Sequence, residues 1–510
     1  MRRPADTTLI AVLLAVLFAA CPAHAARSDW RELSVSHFHL YSTLSDSSTR
    51  TVARNLQAFE QTVGMLLRTD DRLPDVPTYI YLLGARDFKQ YASPHPGVGG
   101  FFHEGPAWNT IVVNGDEDFD WVKIAVFHEY THFIQRNSRT VKLPPWYVEG
   151  YAELFSSFRL TKDGVMLGEA PKGMRISTAA MDWIPVERLL AVKATDPEYR
   201  AEKLMPQFYS ESWALVHLLL FDDKTLRGPT GDYLQSIDVG YPEPDAFKNN
   251  FPFDKAGLDV ALRKLIRGEV IHISRLALEN PPAIDQAPVN RLTAAQADAE
   301  IARLMLSLKK PPSIVGPMIA QALAEAPADV SVKALAARIR AHDSGIVDIP
   351  ALSALAAEEP TTVRVRIDIA DALLADGGSV EAGKSVLALL DGTVHAPDPP
   401  IEAVLLWSRA AELGELAPAN VVSVVEPASL RAPHNTRLLR DLAAASERLR
   451  DKPKARAYYT RIILVSQIDQ ERAWAQKQAD SARLLDDPLP TAAPAAPPSP
   501  AGKPKSPTTH

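Results

Sequence analysis

The sequence predicts an α+β unit followed by an all-helical unit, and three observations predict it. Short β-rich runs alternate with helical spacing up to about residue 114. Helical patterns dominate from there to about residue 284, and beyond it Ala/Leu-rich segments follow one another with short breaks. At 510 residues with 46% apolar content, the chain exceeds one hydrophobic core and can furnish two.

Taken in order, the first 25 residues read as a secretory signal. Arg2 and Arg3 give the positive start, Leu9 to Ala20 is an uninterrupted apolar run, and Ala23-His24-Ala25 offers a small-x-small cleavage site. Export to the periplasm or the medium is the expectation. The apolar run is too short for a bilayer span, which needs about 20 residues, and no later segment approaches one, so no transmembrane segment is expected. Cys21 is the single cysteine. It lies inside the signal, so the mature chain offers no disulfide or thiolate, and a metal site must use histidines and carboxylates. A lipid anchor on Cys21 is the alternative, disfavoured by Phe18 where an aliphatic residue is normal and by Pro22 after the cysteine.

The unit expected over residues 26–284 mixes strands and helices. Val52, Leu56, Phe59, Val63 and Leu66 recur at helical spacing, and Thr78 to Leu83 is a β-rich run entered through Pro77. Gly97, Gly99 and Gly100 precede Phe101 and Phe102, and Asn109 to Asn114 reads as another strand. A helix then starts near Asp118 or Asp120, either of which can cap it, and runs to about Gln135. Its apolar residues occupy most of its circumference, so it is expected to be buried.

The unit expected over residues 285–486 has proline-bearing breaks at Pro327, Pro360, Pro397 and Pro433, a spacing that suits a two-helix repeat. Lys452 to Val465, with Ala455, Tyr458, Tyr459 and Ile462, resembles the second half of a tetratricopeptide repeat; plain helical hairpins are the alternative. Such an array suggests a protein partner. Residues 487–510, rich in proline and alanine with Lys503 and Lys505, cannot build a core and are expected to form a disordered tail. The 55 basic and 62 acidic residues give a formal charge of −7 without a basic stripe, which excludes nucleic acid as a natural partner.

The chemistry concentrates in His128-Glu129-Tyr130-Thr131-His132. Histidines four apart share a helical face, so both imidazoles can reach one zinc ion, while Glu129, turned by about 100°, can point at a water on that ion and act as its base. A hydrolytic zinc site needs a third ligand and an open position. The segment Pro144-Pro145-Trp146-Tyr147-Val148-Glu149-Gly150-Tyr151-Ala152-Glu153 supplies it, because the prolines open a helix, Glu149 lies one turn inside, and Glu153 lies one turn further on the same face. Glu149 is therefore the expected third ligand and Glu153 the carboxylate that orients a ligand histidine.

HExxH followed by Trp-x-x-Glu-Gly-x-Ala-Glu resembles the gluzincin metallopeptidases, the group that includes the thermolysin and aminopeptidase N families, and is most similar to bacterial peptidase-like domains of that group. The resemblance covers about residues 28–270. It implies a zincin-type active-site helix, a zinc ion, and His128, His132 and Glu149 as its ligands. The Gly-Ala-Met-Glu-Asn segment of aminopeptidase N is missing, so recognition of a free amino terminus is not implied. Tyr209 resembles the tyrosine that gluzincins place downstream of the third ligand to hold the oxyanion, with His217 in reserve. The edge near Val98 to Phe102 could take an extended peptide as an added strand, as gluzincins do. His37, His39, His95, His103, Trp146 and Tyr151 carry no assignment.

The function that follows is an exported zinc-dependent peptidase acting on a peptide or protein substrate. Two alternatives remain: a repeat-containing scaffold with a structural zinc unit, and a hydrolase of non-peptide amides.

Overall fold

A computed structural model describes residues 29–483 apart from 68–75, 93–98, 106, 117–118, 139–142, 171–182, 202, 268–270, 279–281, 359–361 and 467. The expected signal with Cys21, the tail, Pro360, and the glycine and capping positions Gly97, Val98 and Asp118 lie outside the described residues, as does His95. Among the described residues no helix is long and apolar enough to cross a membrane.

The fold is α+β, with a mixed six-stranded sheet and many helices. Strands β1 (Arg31–Val35) and β2 (Phe38–Ser42) form an antiparallel hairpin, followed by helix α1 (Asp46–Leu67) and strand β3 (Thr78–Leu83), which joins β2 in parallel. Strands β4 (Gly100–Glu104) and β5 (Asn109–Asn114) are antiparallel, and β5 lies parallel to β3. The expected runs 78–83 and 109–114 are thus β3 and β5. Helix α2 (Phe119–Ser138) carries the HExxH residues, and helix α3 (Pro145–Ser156) carries Glu149. Strands β6 (Arg159–Thr161), β7 (Gly164–Leu167) and, after further helices, β8 (Ser274–Leu276) make a small antiparallel sheet. Those helices are α4 (Val186–Ala191), α5 (Met205–His217), α6 (Arg227–Asp238) and α7 (Glu243–Asn250), and α8 (Lys255–Arg267) closes the set before β8.

Alternation along each strand divides the sheet's side chains between two cores. Phe38, Leu40, Ile80, Leu82, Ile111 and Val113 face α1 and α2. Tyr41, Tyr81, Leu83 and Val112 face the opposite way and pack on helices α9 (Ala294–Ser307), α10 (Pro312–Glu325) and α11 (Val330–Ser344). A two-residue strand β9 (Asn290–Arg291) pairs with β1 immediately before α9, so the chain enters the helical region as part of the sheet. The order across the sheet is β4-β5-β3-β2-β1-β9, which leaves β4 at one edge.

From α9 onward most helices pack on their neighbours in sequence, and α11 also packs extensively on α13, across α12. They continue as α12 (Ile349–Glu358), α13 (Val363–Leu373), α14 (Val380–Val394), α15 (Ile401–Leu413), α16 (Pro418–Arg431), α17 (Thr436–Arg448), α18 (Lys452–Val465) and α19 (Asp469–Arg483). Pro327, Pro397 and Pro433 fall between helices, where the missing N–H and the fixed φ of proline do least harm.

A buried ionic network ties this array together beneath the sheet. Arg303 bonds Glu300 and Asp368; Arg338 bonds Asp368 at 2.9 Å, Asp371 at 2.7 Å and Glu402 at 3.5 Å. Arg364 donates to the Tyr79 hydroxyl of β3 and stacks over the same ring. Burial works against an ionised Asp368, but the guanidinium groups of Arg303, Arg338 and Arg364 hold its carboxyl below the usual range. Asp368→Ala would leave Arg303 and Arg338 short of a counter-charge in the interior, and the expected loss of stability is about 3–5 kcal/mol. Urea unfolding reads this directly, and an unchanged midpoint would show that the network contributes nothing.

Candidate metal centre

Helix α2 is buried because aromatic and aliphatic residues surround it. Phe127 stacks on Phe59 of α1 at 4.2 Å, and Tyr130 and Phe133 lie against Phe102 of β4. The Tyr130 hydroxyl donates to Glu60 at 2.9 Å, and His37 lies 3.2 Å from the same carboxylate, so a buried polar triad backs the helix. From Val126 to Gln135 only Glu129 is exposed, and His128 is partly so. The spacing-based expectation therefore has a physical form, with two histidines directed inward and the intervening glutamate directed toward solvent.

Helix α3 starts at Pro145, whose missing N–H costs nothing in a first turn, and its Pro144 neighbour adopts the extended conformation that precedes it. Tyr147, Tyr151 and Phe155 stack along one face at 5.5 and 4.6 Å. Glu149 and Glu153 share another. That face meets α2 and places the Glu149 carboxylate against both histidines.

The three groups converge. His128 Nε2 and His132 Nε2 are 3.1 Å apart, and Glu149 Oε2 lies 3.4 Å from the first and 3.3 Å from the second. A tetrahedral ion with bonds of about 2.0–2.1 Å requires ligand atoms about 3.3 Å apart, so this triangle fits zinc without adjustment. Glu149 is 3% exposed, and its Oε2 is buried without a hydrogen-bond partner. Three lone-pair-bearing atoms turned toward one point, in a place that water reaches poorly, fit a cation with nitrogen and oxygen ligands. Burial opposes charge on His128, but the neighbouring Glu149 and Glu153 outweigh it and raise its pKa. Burial also works against an ionised Glu149, yet the two imidazoles hold its carboxyl well below the usual range. The centre thus favours a carboxylate facing positive charge.

Glu153 Oε1 lies 3.4 Å from His128 Nδ1, the ring nitrogen that faces away from the triangle. Burial raises the Glu153 pKa, and the charges of Glu149 and Glu129 add to that, while His128 and His132 oppose it. Tyr209 sits on α5 with its ring 6.0 Å from that of His128. Burial first, and then Glu149, Tyr199, Glu129 and Glu153, push the Tyr209 pKa up, so the phenol keeps its proton.

The structure brings His128, Glu129, His132, Glu149, Glu153 and Tyr209 into one neighbourhood. His217 stands apart: it is fully buried, bonds the His272 carbonyl at 3.0 Å and stacks on Phe221. His39 stacks on Tyr79 in the opposite core, and Trp146 is core. Tyr199 carried no sequence signal, yet its hydroxyl donates to Glu149 Oε1 at 2.7 Å. Gly150 is a second residue whose role only the packing reveals. A Cβ there would lie 2.2 Å from the Ser212 carbonyl of α5, so glycine alone allows α3 and α5 to cross this closely.

Comparison of the chain with models of protein families, with curated proteins and with solved structures finds no match. Among the described residues, His128, His132 and Glu149 are the one group of three or more histidines and carboxylates able to hold a metal ion.

Helix α5 is fixed beside this centre by Glu211, whose buried carboxyl accepts the Ile184 N–H at 3.1 Å and the Gln207 amide at 2.9 Å. Burial pushes its pKa from an ordinary 4.5 up to about 7, against those donors and Arg263. A carboxyl whose pKa rises on folding stabilises the fold while protonated, fully so below its ordinary value, and loses that contribution as pH rises to about 7. Glu211→Gln keeps an acceptor and never ionises. Its melting temperature relative to the unsubstituted chain should climb between pH 4.5 and 7 and then level off; a difference independent of pH would refute the shift.

Proposed function

We propose that the chain is an exported zinc-dependent peptidase, held to that reading chiefly by the convergence of His128 Nε2, His132 Nε2 and Glu149 Oε2 next to Glu129. The reading agrees with the gluzincin-like motif pair, and it keeps Glu129 where a structural site would have no use for a carboxylate. His128, His132 and Glu149 would hold the ion, which supplies a Lewis acid for the scissile carbonyl and lowers the pKa of water. Glu129, partly solvated beside the ligand face, takes the proton of the attacking water and passes it to the leaving amine. Glu153 keeps the His128 ring oriented through Nδ1. Tyr209, protonated, donates to the oxygen on which negative charge develops.

A peptide would approach along β4. Within the β4–β5 ladder, Asn114 bonds Gly99 and Gly105 bonds Trp108, which sets the alternation of an antiparallel pair. The backbone N–H and C=O of Gly100 and Phe102 therefore point away from β5, at the edge of the sheet. An extended substrate pairing with them would lie over the ligand face.

Metal content and peptide hydrolysis of the exported chain and of Glu129→Gln test the activity. The expected outcome is zinc near one per chain in both, with hydrolysis falling at least 100-fold in the variant, the effect of losing a general base, and with EDTA abolishing it in the unsubstituted chain. Zinc without hydrolysis of any peptide would favour the scaffold or a non-peptide amide, and no zinc in either would end the ligand assignment. For the strand-addition pose, single N-methyl groups walked along a cleaved peptide should slow hydrolysis at alternate residues only. Equal rates at every position would exclude it.

A further inference from the structure

The two oxygens of Glu149 sit in different surroundings. Oε2 faces His128 and His132 at 3.4 and 3.3 Å and has no hydrogen bond. Oε1 accepts the Tyr199 hydroxyl at 2.7 Å. Tyr199 is not on either ligand helix but on a single turn, Pro197–Arg200, and that turn is fastened at several points. Arg188 of α4 reaches Glu198 at 2.8 and 2.7 Å and Asp196 at 3.0 Å. Asp196 accepts the Lys193 N–H at 3.1 Å, and Arg200 donates to the Ala194 carbonyl at 2.7 Å. The Tyr199 ring meets Phe208 of α5 edge-on at 5.9 Å. A loop with this many ties delivers one hydroxyl to one carboxylate oxygen.

We infer that Tyr199 is a positioning residue that makes Glu149 a single-oxygen ligand. The inference rests on the metal-centre reading above. A carboxylate with both oxygens free can rotate about its last bond and bind an ion through one oxygen or two. Holding Oε1 in a hydrogen bond removes the second mode, keeps Oε2 on the ligand triangle, and leaves the fourth position for water or substrate. Side chains that orient a metal ligand from behind typically contribute about 10–100-fold in affinity. Tyr209, whose ring lies 6.0 Å from that of His128, shows no such bond to Glu149.

Zinc affinity, measured by chelator competition on the exported chain, tests this independently of catalysis. Tyr199→Phe retains the ring that packs on Phe208 and loses only the hydroxyl. It should weaken zinc binding about 10-fold or more, and the visible spectrum of its cobalt form should change as the carboxylate binds through both oxygens. Tyr209→Phe should bind zinc as tightly as the unsubstituted chain. A dissociation constant for Tyr199→Phe within twofold of the original, with an identical cobalt spectrum, overturns the inference while leaving the metal centre standing. Failure of the unsubstituted chain to bind zinc at all overturns the centre itself. Should Tyr199→Phe not fold, Arg188→Met, which frees the turn without touching Glu149, carries the same test with the same expected direction.

Discussion

The sheet is apolar on both faces, and the rest of the architecture answers that constraint. In β3 alone, Ile80 and Leu82 belong to one core, and Tyr81 and Leu83 to the other. Strands so composed cannot present either face to water. One cover is α1 with α2, which places the HExxH helix flat against the strands. The other is the start of the helical array, entered through β9 and continued by α9 to α11. The array therefore begins as a structural half of the sheet. Its first helices have their inward surface occupied by Tyr41, Tyr81 and their neighbours on the sheet.

Burying α2 creates a second requirement. A helix in the core that carries two histidines and stands beside a buried glutamate exposes the interior to large desolvation costs unless the charges compensate one another. The compensation is local and layered. Tyr130, Glu60 and His37 satisfy the sheet side; Glu153 sits behind His128; Tyr199 sits behind Glu149. Among the buried atoms left without a hydrogen-bond partner is the inward corner, Glu149 Oε2, against two imidazole nitrogens; His132 Nδ1 and the Gln135 amide on the same helix are others. A cation at that corner would give the Glu149 oxygen and the two imidazoles a common partner.

Much of this was legible in the sequence, and the exceptions have physical reasons. Periodicity located β3, β5, α1 and the HExxH helix because each buries a regular set of side chains, and helix spacing alone places His128 and His132 on one face. Glu149 and Glu153 were legible for the same reason. Tyr199 was not, since the turn that carries it is held by tertiary ion pairs through Arg188, and a residue whose position depends on distant partners leaves no periodic trace. The second cover of the sheet was equally hidden. An uninterrupted apolar strand such as Thr78–Leu83 announces that both faces are buried without saying by what. The buried arginines of the array were hidden likewise, because their partners lie far along the chain: Asp368 is 65 residues from Arg303 and Tyr79 is 285 residues from Arg364.

Gly150 shows how closely the parts of the centre are coupled. Helices α3 and α5 cross where this glycine meets the Ser212 carbonyl, and the separation permits no side chain. Glu149 precedes the crossing on one helix, and Tyr209 lies one turn before it on the other. The distance between Glu149 and Tyr209 is therefore set by backbone contact, the least compressible kind of packing, and not by side-chain choice. Glu211, one residue before the crossing, anchors α5 to the chain entering α4 through Ile184. The pair of helices, joined at this contact, carries Glu149 and Tyr209, while α2 carries His128, Glu129 and His132. Such a site can form only when that pair and α2 seat together, so its geometry is a property of the completed core and not of either motif.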